Sequence, residues 1–237
     1  MCARFTLSQA DKDIMAAYSA KLANPFTPKQ HIAITDTSLV ITADQPDVLQ
    51  PMHFSIVPHM AKDKKEFVKY SLFNSQSEEI MGKKLFRPLL LHHKTCLIPA
   101  DGFVEWQLNG TNKDPFQIHL TDRDIFSFAG IWSRWIDPAT KEPYNSFAIM
   151  TIKANPLVAW IHNNKRGKLI TPDQARMPVI LPKEDENLWL DKELAPADLL
   201  SLCKPYPAEL MDARELSQRV NIERNDEGRL MYPQNSL

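Results

Sequence analysis

Apolar and polar residues alternate with a period of about two through the middle of the chain, as expected for half-buried strands. Runs over 95–98, 103–108, 116–120, 126–135 and 146–152 read as strands, punctuated by Asp101-Gly102, Asn109-Gly110 and Asp137-Pro138. Residues 32–42, 53–57 and 178–182 add three more. The spacing changes at the flanks. Ile14, Met15, Ala17, Tyr18 and Leu22 predict one apolar face of a helix over 8–22, with Ser8 or Asp11 as its cap. Further helices are expected over 75–84, 155–163 and 184–203, the second of these with Asn155 as cap and Pro156 at its first position. Residues 61–69 read as a charged loop or short helix. The segment 204–237 reads as a polar, Pro-punctuated tail, with Arg219-Val220-Asn221 as a possible last pairing. Strands fill the middle and helices the flanks, without βαβ alternation. That pattern predicts an α+β fold, one domain over 1–237 on a mixed or antiparallel sheet.

Composition narrows the function more than the fold. Of 237 residues 43% are hydrophobic, enough for a packed core, and the net charge is −1, so no bulk attraction to nucleic acid exists. A polyanion site would need local clusters. Three are visible: Lys62, Lys64, Lys65 and Lys69; Lys83, Lys84 and Arg87; and Lys165, Arg166, Lys168 and Arg176. Solvated faces carry such clusters equally well. With six glycines the chain has no Gly-rich phosphate loop. Cys2, Cys96 and Cys203 are odd in number and widely spaced, without a C-x-x-C, which argues against a disulfide framework and a zinc site and for a reduced, cytoplasmic compartment. No signal-peptide pattern and no membrane-length apolar run is present.

Four segments carry candidate chemistry. The chain opens Met1-Cys2-Ala3-Arg4-Phe5. Without Met1, Cys2 would present an α-amine and a thiol on adjacent carbons, titrating near ~8 and ~8.5. Such an aminothiol captures aldehydes: the amine forms a Schiff base and the sulfur closes a thiazolidine ring. In Phe103-Val104-Glu105-Trp106 the alternation puts Glu105 on the face of Phe103, with Val104 and Trp106 opposite. A carboxylate among large apolar groups suits general acid–base work; a solvent-facing Glu is the plain alternative. In Ala154–His162, His162 closes a capped helix, where the negative helix end favours the imidazolium. A fourth segment, Asn74-Ser75-Gln76-Ser77-Glu78, reads as a helix start with Ser75-x-x-Glu78 as capping box, or as an amide placed to orient Cys2.

Together, Met1-Cys2-x-Arg4-Phe5, the Asn74–Glu78 segment, CLIPADGFVEW at 96–106, ANPLVAWIH at 154–162 and RMPVIL at 176–181 resemble one family in content and order. It is the SRAP family (SOS-response-associated peptidase), which includes abasic-site processing and HMCES-like proteins. The resemblance runs from Cys2 to 220–226. It implies a mainly antiparallel, barrel-like sheet with flanking helices, and a DNA-damage function. Met1 would be removed autocatalytically, hence the peptidase name. Cys2 would then crosslink to the aldehyde of an abasic site in single-stranded DNA, with lyase-like proton chemistry. In this reading Glu105 shuttles protons, Asn74 holds Cys2, and His162 protonates the ring oxygen or positions the sugar. Arg4, Lys84, Arg87 and Arg176 contact phosphates. The expected partner is single-stranded DNA containing abasic sites. No cofactor, metal or membrane is expected, and the expected state is a monomer in the cytoplasm, nucleoid-associated when on DNA.

The chain departs from the family pattern at four places. Ala3 stands where glycine is usual, and Gln76 where arginine is usual. Phe54 and Met60 replace two tryptophans. Residues 163–175, including Asn-Asn-Lys-Arg-Gly-Lys, separate His162 from Arg176, which are usually nearly adjacent. Two alternatives compete: an N-terminal-nucleophile amidohydrolase using the Cys2 thiol, and a non-catalytic relative that binds single-stranded DNA. A protease acting on other proteins has no visible substrate cleft in its favour.

Overall fold

A computed structural model describes residues 2–63 and 72–217. Its elements in chain order begin with β1 (Arg4–Leu7), α1 (Asp11–Tyr18), β2 (Lys21–Leu22), β3 (Lys29–Ala33), β4 (Thr37–Thr42), β5 (Gln45–Phe54) and β6 (Asn74–Gln76). They continue with α2 (Phe86–Leu91), β7 (Thr95–Ala100), β8 (Gly102–Asn109), β9 (Asn112–Leu120), β10 (Phe126–Ile136) and β11 (Pro143–Lys153). After these come α3 (Pro156–Ile161), β12 (Asn164–Lys165), β13 (Lys168–Leu169), β14 (Arg176–Pro178) and β15 (Ile180–Leu181). The last are α4 (Glu186–Trp189), α5 (Pro196–Ser201) and β16 (Met211–Glu215).

The architecture is α+β and built on strands. β4, β5, β11, β10 and β7 pair in a ring. Four of the five joins are antiparallel, and the fifth, β5 with β11, is parallel through Ser146↔His53 and Phe147↔Phe54. A ring leaves these strands no free edge. A second sheet runs β16-β9-β8-β1-β3. The two are joined covalently where β7 turns through Asp101 into β8.

Aromatic packing glues the sheets. Phe5 of β1 meets Phe54, Phe128 and Phe147 edge-on, with ring centroids at 5.5, 5.8 and 6.5 Å. Phe103 of β8 meets Phe128 at 6.0 Å. Such edge-to-face pairs add about 0.5–1.5 kcal/mol each beyond the area they bury. The opposite face of β8 packs separately: Val104 and Trp106 form their own small cluster with Leu216. The face split expected from the alternation in 103–106 is therefore the one observed.

The N-terminal strand is clasped at the corner. The Asp101 carboxylate accepts from the Thr6 hydroxyl, from the Ser8 amide at 2.5 Å and from the Ser8 hydroxyl at 2.7 Å. Gly102 lies opposite Thr6 on β1. A Cβ there would come within 3.0 Å of the Thr6 hydroxyl and 3.1 Å of the Ile118 carbonyl, so a side chain would push β1 off β8.

Several sequence expectations are corrected. The first helix covers Asp11–Tyr18 and not 8–22: Ser19 turns left-handed (φ 50°), and Ser8 serves the corner and caps no helix. Residues 32–42 are two strands, split where Thr35 takes φ 82° and the Asp36 carboxylate accepts from the Ala33 amide at 2.8 Å. The strand expected at 53–57 is the end of the longer β5. The segment 75–84 is not a helix. Residues 74–76 pair in parallel with β11, and a short 3-10 turn follows at Ile80–Gly82, so Ser75-x-x-Glu78 caps nothing. The helix α2 was not expected; its Pro88 obscured it. The strand at 178–182 is two short pieces, β14 and β15, and the helix at 184–203 is interrupted before Pro196. The polar tail contains β16, which pairs with β9 from Met211↔Leu120 to Glu215↔Phe116. The basic run from 64 onward and the pairing at 219–221 lie outside the described residues. Among the described residues no helix is long and apolar enough to cross a membrane.

Candidate active site

The corner, the start of β6 and the end of α3 bring four distant side chains together. Cys2 precedes β1 and is fully buried. Its thiol lies 3.5 Å from the Arg4 carbonyl. Burial, reinforced by the charge of Glu105, pushes its pKa far above the ordinary thiol value. The Asn74 amide donates to the Cys2 carbonyl at 2.9 Å, a contact spanning 72 positions of sequence. It is possible because β6 pairs with β11, with Asn74 opposite Ile149. The Asn74 Oδ1 is buried without a partner among the described residues.

Glu105 sits mid-strand on β8, 4% exposed, held by its backbone opposite Phe116. Its charge acts on both Cys2 and His162, so the carboxylate is the electrostatic centre of the group.

His162 follows α3. Asn155 caps that helix, its Oδ1 accepting from the Val158 amide at 2.9 Å while its Nδ2 donates to the Tyr206 carbonyl at 2.8 Å. The cap and Pro156 agree with the sequence reading. The charge state of His162 does not. Burial pulls the imidazole below its usual value, and the opposing pull of Glu105 does not restore it. The six-residue helix has too little dipole to outweigh desolvation. His162 Nδ1 lies 2.9 Å from the Arg176 carbonyl and 3.3 Å from the Arg176 amide. Assigning the proton to the shorter contact makes Nδ1 a donor and puts the lone pair of the neutral ring on Nε2.

The expected phosphate contacts are placed unequally. Arg4 is 0% exposed, with its guanidinium carbon 5.1 Å from the centre of the Trp106 ring. Arg176 is held bidentately by Glu78 at 2.8 and 2.5 Å and also donates to the Thr151 carbonyl at 2.9 Å. Burial would raise the Glu78 pKa, but the Arg176 hydrogen bonds and charge outweigh it and hold the carboxyl below its usual value. Lys84, just before α2, and Arg87, within it, are exposed. Neither the Glu78–Arg176 pair nor the Arg4–Trp106 stacking is legible in spacing along the chain, because each joins segments set next to each other only by sheet pairing. Among the described residues no group of three or more His, Cys, Asp or Glu side chains could hold a metal.

The excursion at 163–175 returns to its starting point. His162 and Arg176, 14 positions apart, still touch. Asn163 ties the excursion to the site strand by exchanging both hydrogen bonds with Leu108 of β8 (Leu108 amide to Oδ1, 2.8 Å; Nδ2 to the Leu108 carbonyl, 3.0 Å). The Asn164 Nδ2 donates to the Trp106 carbonyl at 3.1 Å.

The model of the SOS response associated peptidase family matches residues 1–223. The chain belongs to the SRAP family. SRAP relatives include the abasic site processing protein YoqW of Bacillus subtilis strain 168, 34% identical over 98% of this chain and 99% of that protein. The chicken abasic site processing protein HMCES is 29% identical over 78% of this chain and 57% of its own length. A crystal structure of a protein from Bacteroides thetaiotaomicron shares the fold with a TM-score of 0.82 and 29% identity, covering 92% of this chain and 94% of that one.

Proposed function

We propose that this SRAP protein processes abasic sites in single-stranded DNA by forming a covalent crosslink through Cys2, in one domain spanning 1–237. The observation that carries this reading is the Asn74–Cys2–Glu105–His162 group: an N-terminal cysteine anchored by its carbonyl, beside one buried carboxylate whose charge reaches both thiol and imidazole. The relatives named abasic site processing proteins support the substrate.

The reaction begins with hydrolysis of the Met1–Cys2 peptide bond, which frees the Cys2 amine. That amine attacks the C1′ aldehyde of the ring-opened deoxyribose, and one water leaves as the Schiff base forms. The thiol then adds to the imine carbon, its proton passing to the nitrogen, and the thiazolidine closes. A thiol held neutral by burial suits this order, because it keeps the sulfur from reacting before the imine has formed. Glu105 takes the proton from the attacking amine and returns it to the departing hydroxyl. Asn74 holds the Cys2 carbonyl with Nδ2 and offers Oδ1 to the amine. His162 is neutral at pH 7, so it gives a proton to the sugar oxygen only after taking one from the Glu105 side of the site. Lys84 and Arg87 contact phosphates at the rim. Arg4 supplies positive charge from beneath the site, and Arg176 reaches a phosphate by exchange with Glu78. The protein works in the cytoplasm as a monomer.

The test is a denaturing gel of the protein with single-stranded DNA bearing one abasic site, beside Cys2→Ala, with intact mass reporting Met1. A heat-stable shifted band, absent in Cys2→Ala, is expected. Absence of the band from protein whose Met1 has been removed would sink the proposal.

A further inference from the structure

β12 and β13 form a hairpin closed by Arg166-Gly167, both at positive φ (54° and 72°). This is a tight two-residue turn in a conformation that arginine rarely adopts. The pairing sets Lys165 directly opposite Lys168, with Arg166 between them at the tip. Like charges facing each other across strands oppose folding. Six cations elsewhere do meet a carboxylate: Lys83 meets Glu79, Lys94 and Lys192 meet Asp44, Arg123 and Lys183 meet Glu186, and Arg176 meets Glu78. Among the described residues, Lys165, Arg166 and Lys168 meet no carboxylate.

The hairpin is held at its root. Asn163 and Asn164 bind the backbone of β8 at Leu108 and Trp106, one position from Glu105. Beside the root stands Trp160, 55% exposed, its ring edge-on to Phe116 at 5.5 Å and its carbonyl held by the Gln107 side chain at 2.9 Å. The charge of Lys165 is felt at His162. A half-exposed indole held a few residues before a hairpin that carries three cations without a carboxylate among the described residues offers a single-stranded polyanion both stacking and charge.

We propose that the 164–169 hairpin and Trp160 form a second DNA-contact surface, which takes the single strand on one side of the abasic nucleotide. A base stacks on Trp160, and phosphates neutralise Lys165, Arg166 and Lys168. The inference rests on the proposed function and extends it to residues that make no contact with the reacting sugar.

The experiment is fluorescence anisotropy of the full chain with an intact oligothymidylate, without any abasic site, across a series of salt concentrations. The crosslinking gel on the same parent batch reports the underlying function separately. In Lys165→Gln/Arg166→Asn/Lys168→Gln the slope of log Kd against log salt is expected to fall by about two, at roughly 0.7 per single-strand phosphate contact. Asparagine is chosen at 166 because it tolerates positive φ. Trp160→Ala is expected to weaken binding about tenfold with the slope kept. Lys12→Gln/Lys21→Gln/Lys192→Gln removes as much charge elsewhere and should leave the slope in place. A parent that crosslinks, with hairpin and Trp160 variants that keep its affinity and slope, overturns this inference alone. So does an equal fall in the control triple. A parent that neither binds nor crosslinks overturns it together with the function on which it rests.

Discussion

Two segments deliver candidate site residues, and they do it in opposite ways. The corner 95–109 is continuous and buried up to Trp106 except at Asp101, and it places Glu105 by strand pairing on both sides of the turn. The excursion 162–176 leaves the site, runs out to an exposed hairpin and comes back, so that His162 meets the Arg176 backbone. In the first, position along the chain and position in space agree. In the second only the two ends set where His162 and Arg176 lie, and lengthening a surface loop between fixed ends costs little because closure entropy grows only logarithmically. A long excursion next to a candidate site residue is thus tolerated when its root is tied, as Asn163 and Asn164 tie this one.

That contrast can be broken from either side. The largest effect is expected at the corner. Glu105→Gln keeps the shape and removes the proton carrier, so crosslinking should slow by roughly 10²–10⁴-fold, the usual worth of a general acid–base; quenched time courses on abasic DNA measure it, and a rate within threefold of the parent would remove Glu105 from the mechanism. Asp101→Ala takes three hydrogen bonds from the clasp and leaves the Thr6 hydroxyl and Ser8 amide short of an acceptor. A loss of about 2–4 kcal/mol in urea unfolding is expected. The excursion should be more forgiving. Asn163→Ala removes two neutral hydrogen bonds at a partly solvated strand end, and about 1–2 kcal/mol should be lost in the same assay.

The smallest effect is a pH slope. His162 has its folded-state pKa below the ordinary 6.5, so between the two values the unfolded chain binds more protons. Its contribution to stability is therefore full above pH 6.5 and is lost as pH falls through the folded pKa. His162→Gln should show a shallower fall in unfolding free energy below pH 6.5. Equal slopes for both proteins would mean that burial does not set the charge of this ring.

Much of the corner was legible in the chain. Alternation assigned Glu105 to the face of Phe103 and Trp106 to the other, since side-chain direction follows from local backbone geometry alone. The Asn155 cap and Pro156 were legible for the same reason. The Asn74 segment was not. Its Ser and Glu spacing is that of a helix start, and parallel pairing with β11 overrode it. β16 was hidden in a polar tail because an edge strand paired on one side needs few apolar residues.

The sequence by itself determined the reactive candidates, Cys2, Glu105 and His162, and the alternation that puts Glu105 on the face of Phe103, because residue chemistry and side-chain parity are local properties. Only the tertiary structure decided that Glu105 is buried, that Asn74 holds Cys2, that Arg176 is matched to Glu78, that His162 is neutral, and that the hairpin cations meet no carboxylate among the described residues. Those outcomes depend on which segments the closed ring of strands brings into contact and on how much water it excludes from them. Neither can be read from spacing along the chain.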